Sequence, residues 1–233
     1  MAIHIIGTSH ISKQSVKEIT DAIETEKPAI VAVELDQKRL YALLHKQKSR
    51  FSLRDIKRVG IKGFLFAILG SWVQKKLGKY TGMVPGSEML TAVQSAKKHK
   101  LHLSLIDQDI EITLKRLSGA FTWNEKWHFI RDFFKGIYFS IVKPSRLPSF
   151  DLTKVPEEKM IENLIGEIKK SYPNLYRVLI KERNEVMARK LIELQQANTE
   201  KNILAVVGAG HKKEMERMIR SNLSRTTSQR LVI

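Results

Sequence analysis

Four short apolar runs punctuate an otherwise polar chain. They are Ile3-His4-Ile5-Ile6, Ile30-Val31-Ala32-Val33, Leu101 to Ile106 and Ile203 to Val207. Short apolar runs rich in branched residues are the pattern of strands buried on both faces. Between the first two, Ile11, Ser15, Ile19 and Ile23 keep a loose helical spacing, which predicts a helix over 13–26. Asp36 precedes Leu40, Leu43 and Leu44 and predicts a capped helix over 37–48. Further helices are expected over 87–99 with Ser87 as the cap, from Asp109 to 118, over 157–171, over 174–197 and over 212–222. Arg230 to Ile233 is a candidate edge strand. Strands alternating with helices predict an α/β fold, a mixed but largely parallel sheet flanked by helices.

Two stretches break this rhythm. Phe51 to Tyr80 carries Ile61, Phe64, Leu65, Ile68, Leu69 and Trp72 as a broad apolar stripe among lysines and arginines. Residues 122–142 place Trp123, Trp127, Phe129, Phe133, Phe134, Tyr138 and Phe139 at helical spacing. Aromatic residues so spaced are usually core, so both stretches are expected to pack on the domain. The other surfaces that fit them are an anionic membrane and a second copy of the chain, through 61–78 and 122–142. Pro144, Pro148 and Pro156 mark 143–156 as a loop. The chain is thus expected to be one domain over 1–233, with helical insertions at about 51–82 and 120–200.

One motif occurs twice. Gly7-Thr8-Ser9-His10 follows the first apolar run and Gly208-Ala209-Gly210-His211 follows the last. The expected local structure is a strand, a tight turn at the glycine and a histidine just beyond. The other two runs lead into Glu34 and Asp107. If the strands are parallel, His10, Glu34, Asp107 and His211 share the carboxyl edge of the sheet, where open parallel sheets bind ligands. Two imidazoles with one or two carboxylates make a nitrogen and oxygen donor set suited to zinc, manganese, cobalt or iron, with His10, His211 and Asp107 as candidate ligands. Such a metal would lower the pKa of bound water to about 7 and polarise a carbonyl. Glu34 is the candidate general base. Arg183 is the candidate partner of an oxyanion or of a substrate carboxylate, with a salt bridge to Glu182 or to a strand-end acid as the structural alternative. Glu88, at a helix start, has favourable interaction with the helix dipole as its plain explanation.

Charge and composition narrow the classes. The formal net charge is +17 over 233 residues, which favours an anionic neighbour. The basic residues are spread along the chain and no nucleic-acid-binding motif accompanies them, so specific nucleic-acid binding is not expected. The absence of cysteine removes disulfides, thiolate metal sites and a cysteine nucleophile. No signal peptide or span-length apolar run is visible, and a cytoplasmic location, with membrane-peripheral association as a variant, is expected. No G-x-S-x-G, H-E-x-x-H or P-loop pattern occurs, and the third glycine of a dinucleotide fingerprint is missing.

Six segments, in order, resemble the TraB/PrgY family, which is related to GumN and the Tiki proteins. They are Gly7-Thr8-Ser9-His10, Val33-Glu34-Leu35-Asp36 with Arg39, Pro85-Gly86-Ser87-Glu88-Met89-Leu90, Ile106-Asp107-Gln108-Asp109-Ile110, Glu182-Arg183-Asn184-Glu185 with Met187 and Ala188, and Val207-Gly208-Ala209-Gly210-His211. The resemblance covers residues 3 to about 215. It implies a fold like that of the erythromycin esterase and ChaN group. For Tiki-like relatives it implies a peptidase dependent on manganese or cobalt, and for TraB/PrgY members the shutdown of a peptide pheromone. The matched positions are His10, Glu34, Arg183 and His211, with Glu88, Asp107, Asp109 and Arg39 as supporting or substrate positions. Two departures stand out: Gln108 where members commonly carry Arg, and Lys212-Lys213-Glu214 where they tend to carry a Pro-Gly turn. Members often continue into a membrane region, so this chain reads as a soluble-only or truncated member. The expected function is a metal-dependent, peptidase-like hydrolase acting on a peptide or small molecule. The alternatives are a non-catalytic module that sequesters a peptide or small anion, and a peripheral membrane-associated regulator.

Overall fold

The computed structural model describes residues 3–8, 13–45, 60, 86–120, 122–125, 127–128, 131–132 and 158–230. The expected helix over 61–78, the loop over 143–156, residues 231–233 of the expected C-terminal edge strand and His10 lie outside them, while Arg230 of that stretch ends a helix instead. Most of the expected helix over 122–142 also lies outside them.

Four strands, β1 (Ile3–Thr8), β2 (Ile30–Val33), β3 (His102–Leu105) and β4 (Ile203–Gly208), form one sheet in the order β1-β4-β2-β3. Every pairing among them is parallel. The two inner strands, β2 and β4, are buried at every residue, as their continuous apolar runs predict. The outer strand β3 is partly exposed.

Alternate residues of each strand feed two separate cores. Ile6, Val31, Val33, Leu204 and Val206 pack with Ile19 and Ile23 of α1 (Lys13–Glu26) and with Met89, Ala92 and Val93 of α3 (Ser87–Lys98). Leu40 and Leu43 of α2 (Gln37–Leu44) lie against this cluster. Ile5, Ile30, Ala32, Ile203, Ala205 and Val207 face the other way. They meet Met187, Ala188 and Leu191 of α7 (Glu182–Ala197) and Met215 and Ile219 of α8 (Ala209–Arg230). The architecture is a parallel α/β sheet between two helical layers. Further helices of the described residues are α4 (Ile110–Ala120), α5 (Glu158–Ser171) and α6 (Pro173–Tyr176). No helix of the described residues is long and apolar enough to cross a membrane.

Three local features depart from expectation. The cap of α3 is Gly86, at φ 86°, and Ser87 is already helical with its hydroxyl buried and unbonded. Glycine is suited to this position because a left-handed backbone carries no Cβ penalty there. The single helix expected over 174–197 is instead α6, a π-helical turn Arg177–Lys181 and then α7. The wider turn rotates α7 about its axis, so Arg183 and Asn184 are presented from a register that uniform helical spacing does not give. Finally, α8 begins at Ala209, directly after β4, so His211 stands in the first helical turn rather than in a loop.

Outside the sheet, Glu125 fastens two segments together. Its Oε2 accepts from Thr122 N at 3.1 Å and Thr122 Oγ1 at 3.0 Å, while Thr122 Oγ1 accepts from Glu125 N at 3.3 Å. This reciprocal pair is a capping box. The same carboxylate accepts from Asn174 N at 2.7 Å and Asn174 Nδ2 at 3.0 Å, at the start of α6. Burial pushes the Glu125 carboxyl up, but the bonds from Thr122 and Asn174 outweigh it and hold the group below its ordinary value. A depressed carboxylate contributes stability above its unfolded pKa and loses it as pH falls through the folded value. Glu125→Ala is therefore expected to cost about 1–3 kcal/mol at neutral pH in urea melts. The difference from the parent should narrow below pH ~4.

Candidate functional site

The parallel sheet brings the strand-end groups to one edge, and the topology explains how. Glu34 follows β2 immediately and is 2% exposed. Asp107 follows β3 after Ile106, whose N–H still bonds Val33 O at 3.1 Å, and is 3% exposed. Arg183 stands in the first turn of α7 and His211 in the first turn of α8. These helices pack side by side under the same sheet face, so both first turns meet over the ends of β2 and β4.

Arg183 is the hub. Its Nε donates to Asp107 Oδ1 at 3.0 Å and its Nη2 to Asp107 Oδ2 at 2.7 Å, a side-on fork. Nη2 also donates to Glu34 Oε1. Nη1 donates to Leu179 O at 3.2 Å, inside the π-helical turn, and to His211 Nε2 at 3.2 Å. Burial works against the charged guanidinium, but the attraction of Glu34 and the bonds to Asp107 more than offset it, so Arg183 is held above its ordinary pKa. It keeps its charge at every pH at which the protein is folded. Of the two alternatives read from the sequence, the strand-end acids are therefore the partners of Arg183. Glu182 turns instead to Arg116 at 2.8 Å.

The carboxylates are satisfied differently. Glu34 Oε2 accepts from Gly208 N at 2.6 Å, which ties β2 to the end of β4, and its Oε1 lies 3.4 Å from His211 Nε2. Asp107 accepts four hydrogen bonds. Besides the two from Arg183, Arg39 Nη1 donates to Oδ2 at 2.7 Å and Gln108 N to Oδ1 at 2.7 Å. Arg39 thus joins the cluster, reaching in from α2, whose cap is Asp36 through Lys38 N at 2.8 Å and Arg39 N at 3.0 Å. The local charge balances: two guanidiniums against two carboxylates.

Not every expected residue converges here. Asp109 accepts from Lys38 Nζ at 2.8 Å and from Glu111 N at 2.8 Å, so it caps α4 and ties it to α2. Glu88 is buried in the first turn of α3, which begins at the same end of the sheet. His10 lies outside the described residues.

Several participants were not anticipated. Asn184 Oδ1 lies 2.6 Å from His211 Nδ1, and Asn184 Nδ2 donates to Glu214 Oε2 at 2.8 Å. Lys190 Nζ donates to the Asp107 backbone carbonyl at 2.7 Å, closing the end of β3. Asn184 had a readable signal. It lies on the stripe formed with Met187, Ala188 and Leu191, a polar residue on an otherwise apolar helix face, and all four are buried.

The paired glycine motifs do a different job from the one expected. Neither Gly7 nor Gly208 is among the left-handed residues. At Gly7 a Cβ would stand 3.2 Å from Ala209 Cα and 3.2 Å from the Lys212 side chain. Gly7 therefore permits β1 to approach the start of α8, two residues before His211. The lysines after His211 leave the site: Lys212 lies against Gly7 and Lys213 pairs with Glu158 and Glu162 of α5. Gly7→Ala is expected to cost about 1–3 kcal/mol by overpacking, and to shift the backbone amide signals of 208–212 in NMR spectra.

The donor chemistry bears on a metal. His211 has one ring nitrogen held by Asn184 Oδ1, as ligating imidazoles commonly do, while the other, Nε2, faces Arg183 Nη1 and Glu34 Oε1. Asp107 does not fit, because all its ready acceptor positions are filled by Arg39, Arg183 and Gln108. The described residues contain no group of three or more histidine, aspartate or glutamate side chains set to hold a metal ion.

The chain is 36% identical over 211 residues to an uncharacterized protein of Methanocaldococcus jannaschii, covering 90% of this chain and 51% of the relative. It is 25% identical over 235 residues to the TraB domain-containing protein of Homo sapiens, covering 90% of this chain and 60% of the relative. The mouse protein of the same name is 25% identical over 237 residues, with the same coverage of each chain. The chain thus spans about half to three fifths of the length of these relatives. The model of the TraB/PrgY/gumN family matches residues 1–221, and the chain belongs to that family.

Proposed function

We propose that this chain is a hydrolase of peptide-like substrates, working at the carboxyl edge of the sheet through His211, Glu34 and Arg183. The observation that carries the reading is the meeting of three groups at one atom: His211 Nε2 stands 3.2 Å from Arg183 Nη1 and 3.4 Å from Glu34 Oε1. A base, a carboxylate and a buried cation within hydrogen-bond reach are the elements of water-driven acyl cleavage.

The bonding supports the following roles. His211 Nε2 and Glu34 hold the attacking water and accept its proton. Arg183 faces the scissile carbonyl with Nη1, since that nitrogen is bound only by a backbone carbonyl and a ring nitrogen, weaker acceptors than carboxylates. Asp107 and Arg39 hold the guanidinium in place. A manganese, cobalt or zinc ion would be held by His211 and Glu34, with His10 as the further ligand expected from the sequence. When bound it would supply a water of pKa about 7 and a Lewis acid for the carbonyl. The choice of peptides rests on the resemblance to Tiki-like relatives.

The test is a mixed peptide pool incubated in isotopically labelled water, with chelator or with each of the three metals. Mass spectrometry should find the label in new carboxyl termini, and His211→Ala should abolish it. Peptides that are retained on the protein but stay intact under every condition would replace this reading with a sequestering module.

A further inference from the structure

We propose that Asn184, Glu214 and Tyr176 form a positioning relay that holds His211 as its Nδ1–H tautomer, leaving the Nε2 lone pair turned to Arg183 and Glu34. The consequence for catalysis rests on the hydrolytic reading above, but the relay itself is tested without it.

Proton positions along the relay are set from its outer end inward. Glu214 stands one turn after His211 on α8, and its carboxylate only accepts. Tyr176 OH donates to it at 3.2 Å and 3.4 Å, and Arg217 Nη2 lies 3.7 Å away. Burial and then the charge of Glu214 push the Tyr176 hydroxyl up from its ordinary value, so it stays a donor. Asn184 Nδ2, 2.8 Å from Glu214 Oε2, must be the amide's donor end. A carboxylate thus removes the ambiguity that an amide otherwise has between its two ends. The Asn184 carbonyl must then face His211, and at 2.6 Å it requires a proton on Nδ1. In the neutral ring Nε2 is therefore bare, and it accepts from Arg183 Nη1 at 3.2 Å. With the ring in this form, each donor along the relay meets an acceptor among the described contacts.

This tautomer is the one a base or a metal ligand at Nε2 needs, because either role uses that lone pair. Asn184 is 0% exposed, and its amide is the link between Glu214 and the ring. A polar relay this deep is costly unless its members are paired, and here each bond has both its donor and its acceptor. Tyr176, the π-helical turn and α7 with Asn184 succeed one another along the chain, so that turn sets the distance between the two ends of the relay.

Nitrogen NMR on protein labelled in its histidine rings reads the tautomer directly, with His211→Gln identifying the signal. The parent should show the Nδ1–H form. Glu214→Ala frees the Asn184 amide to turn over and should move the tautomer ratio at least threefold toward Nε2–H. Asn184→Ala should do the same, while Asn184→Asp, which keeps the acceptor, should retain the parent form. If Asn184→Ala does not fold, the Glu214→Ala and Asn184→Asp arms carry the test. An Nε2–H ring in the parent, or an unchanged ratio in folded Glu214→Ala protein, overturns the relay. Intact peptides beside a parent Nδ1–H ring would remove the hydrolytic reading and leave the relay standing.

Discussion

Arg183→Ala is expected to lower the stability of the domain by about 3–5 kcal/mol, read as a drop in the urea midpoint at unchanged slope. The loss comes from what stays behind. Glu34 and Asp107 are almost wholly buried, and Arg183 is a cation that both share. Removing it leaves two carboxylates facing each other with Arg39 bonded to only one of them. Arg183→Lys should recover only part of the loss. A single ammonium cannot reproduce a fork that reaches Asp107 twice, Glu34 and His211 at once. A loss below about 1 kcal/mol would mean that the pair behaves like a solvated surface bridge, against the burial described.

Asp107→Ala is expected to cost a similar amount, about 3–5 kcal/mol, because it leaves the Arg39 and Arg183 guanidiniums without the carboxylate that joins them. Asp107→Asn keeps the shape and one acceptor, and should cost about 1–3 kcal/mol. The same variant separates structure from ligation. Four hydrogen bonds already occupy the Asp107 carboxylate, so Asp107→Asn should leave metal uptake within about twofold while lowering the urea midpoint. A tenfold loss of uptake, the amount typical of a lost ligand or its close support, would restore Asp107 to the ligand set.

The sheet was readable because it is buried. Ile30 to Val33 and Ile203 to Val207 are continuous apolar runs, and only strands covered on both faces need such runs. Once the strands are taken as parallel, the carboxyl ends of the second and third runs place Glu34 and Asp107 on one edge. Asp36 was readable as a cap because its chemistry is local. What the sequence hid depends on contacts far apart along the chain. Nothing near Gly7 announces Ala209, the first residue of α8, against which it packs. The π-helical turn at Arg177–Lys181 has no marker residue, yet it sets the register from which Arg183 and Asn184 reach His211. Asn184 was the missed opportunity: a polar residue on a buried stripe is itself a sign of a polar partner. Thr122 and Glu125 likewise spell a capping box that spacing alone reveals.

The carboxyl edge of the sheet gathers Glu34, Arg183 and His211, and what remains to be measured is whether it does chemistry. Glu34→Gln is the most direct probe, because the amide keeps the shape of the side chain and an acceptor for Gly208 N, now 2.6 Å from Oε2. It removes the charge and the basicity, and it turns an amide N–H toward Arg183 Nη2 in place of Oε1. Turnover of the best substrate from the peptide pool should be compared in parent and variant, with near-ultraviolet circular dichroism confirming the fold of each. The expected result is a fall in kcat of about 10²–10⁴-fold in a folded protein, the contribution of a positioned acid–base group. Turnover within twofold of the parent would contradict the assignment of this sheet edge as the hydrolytic site.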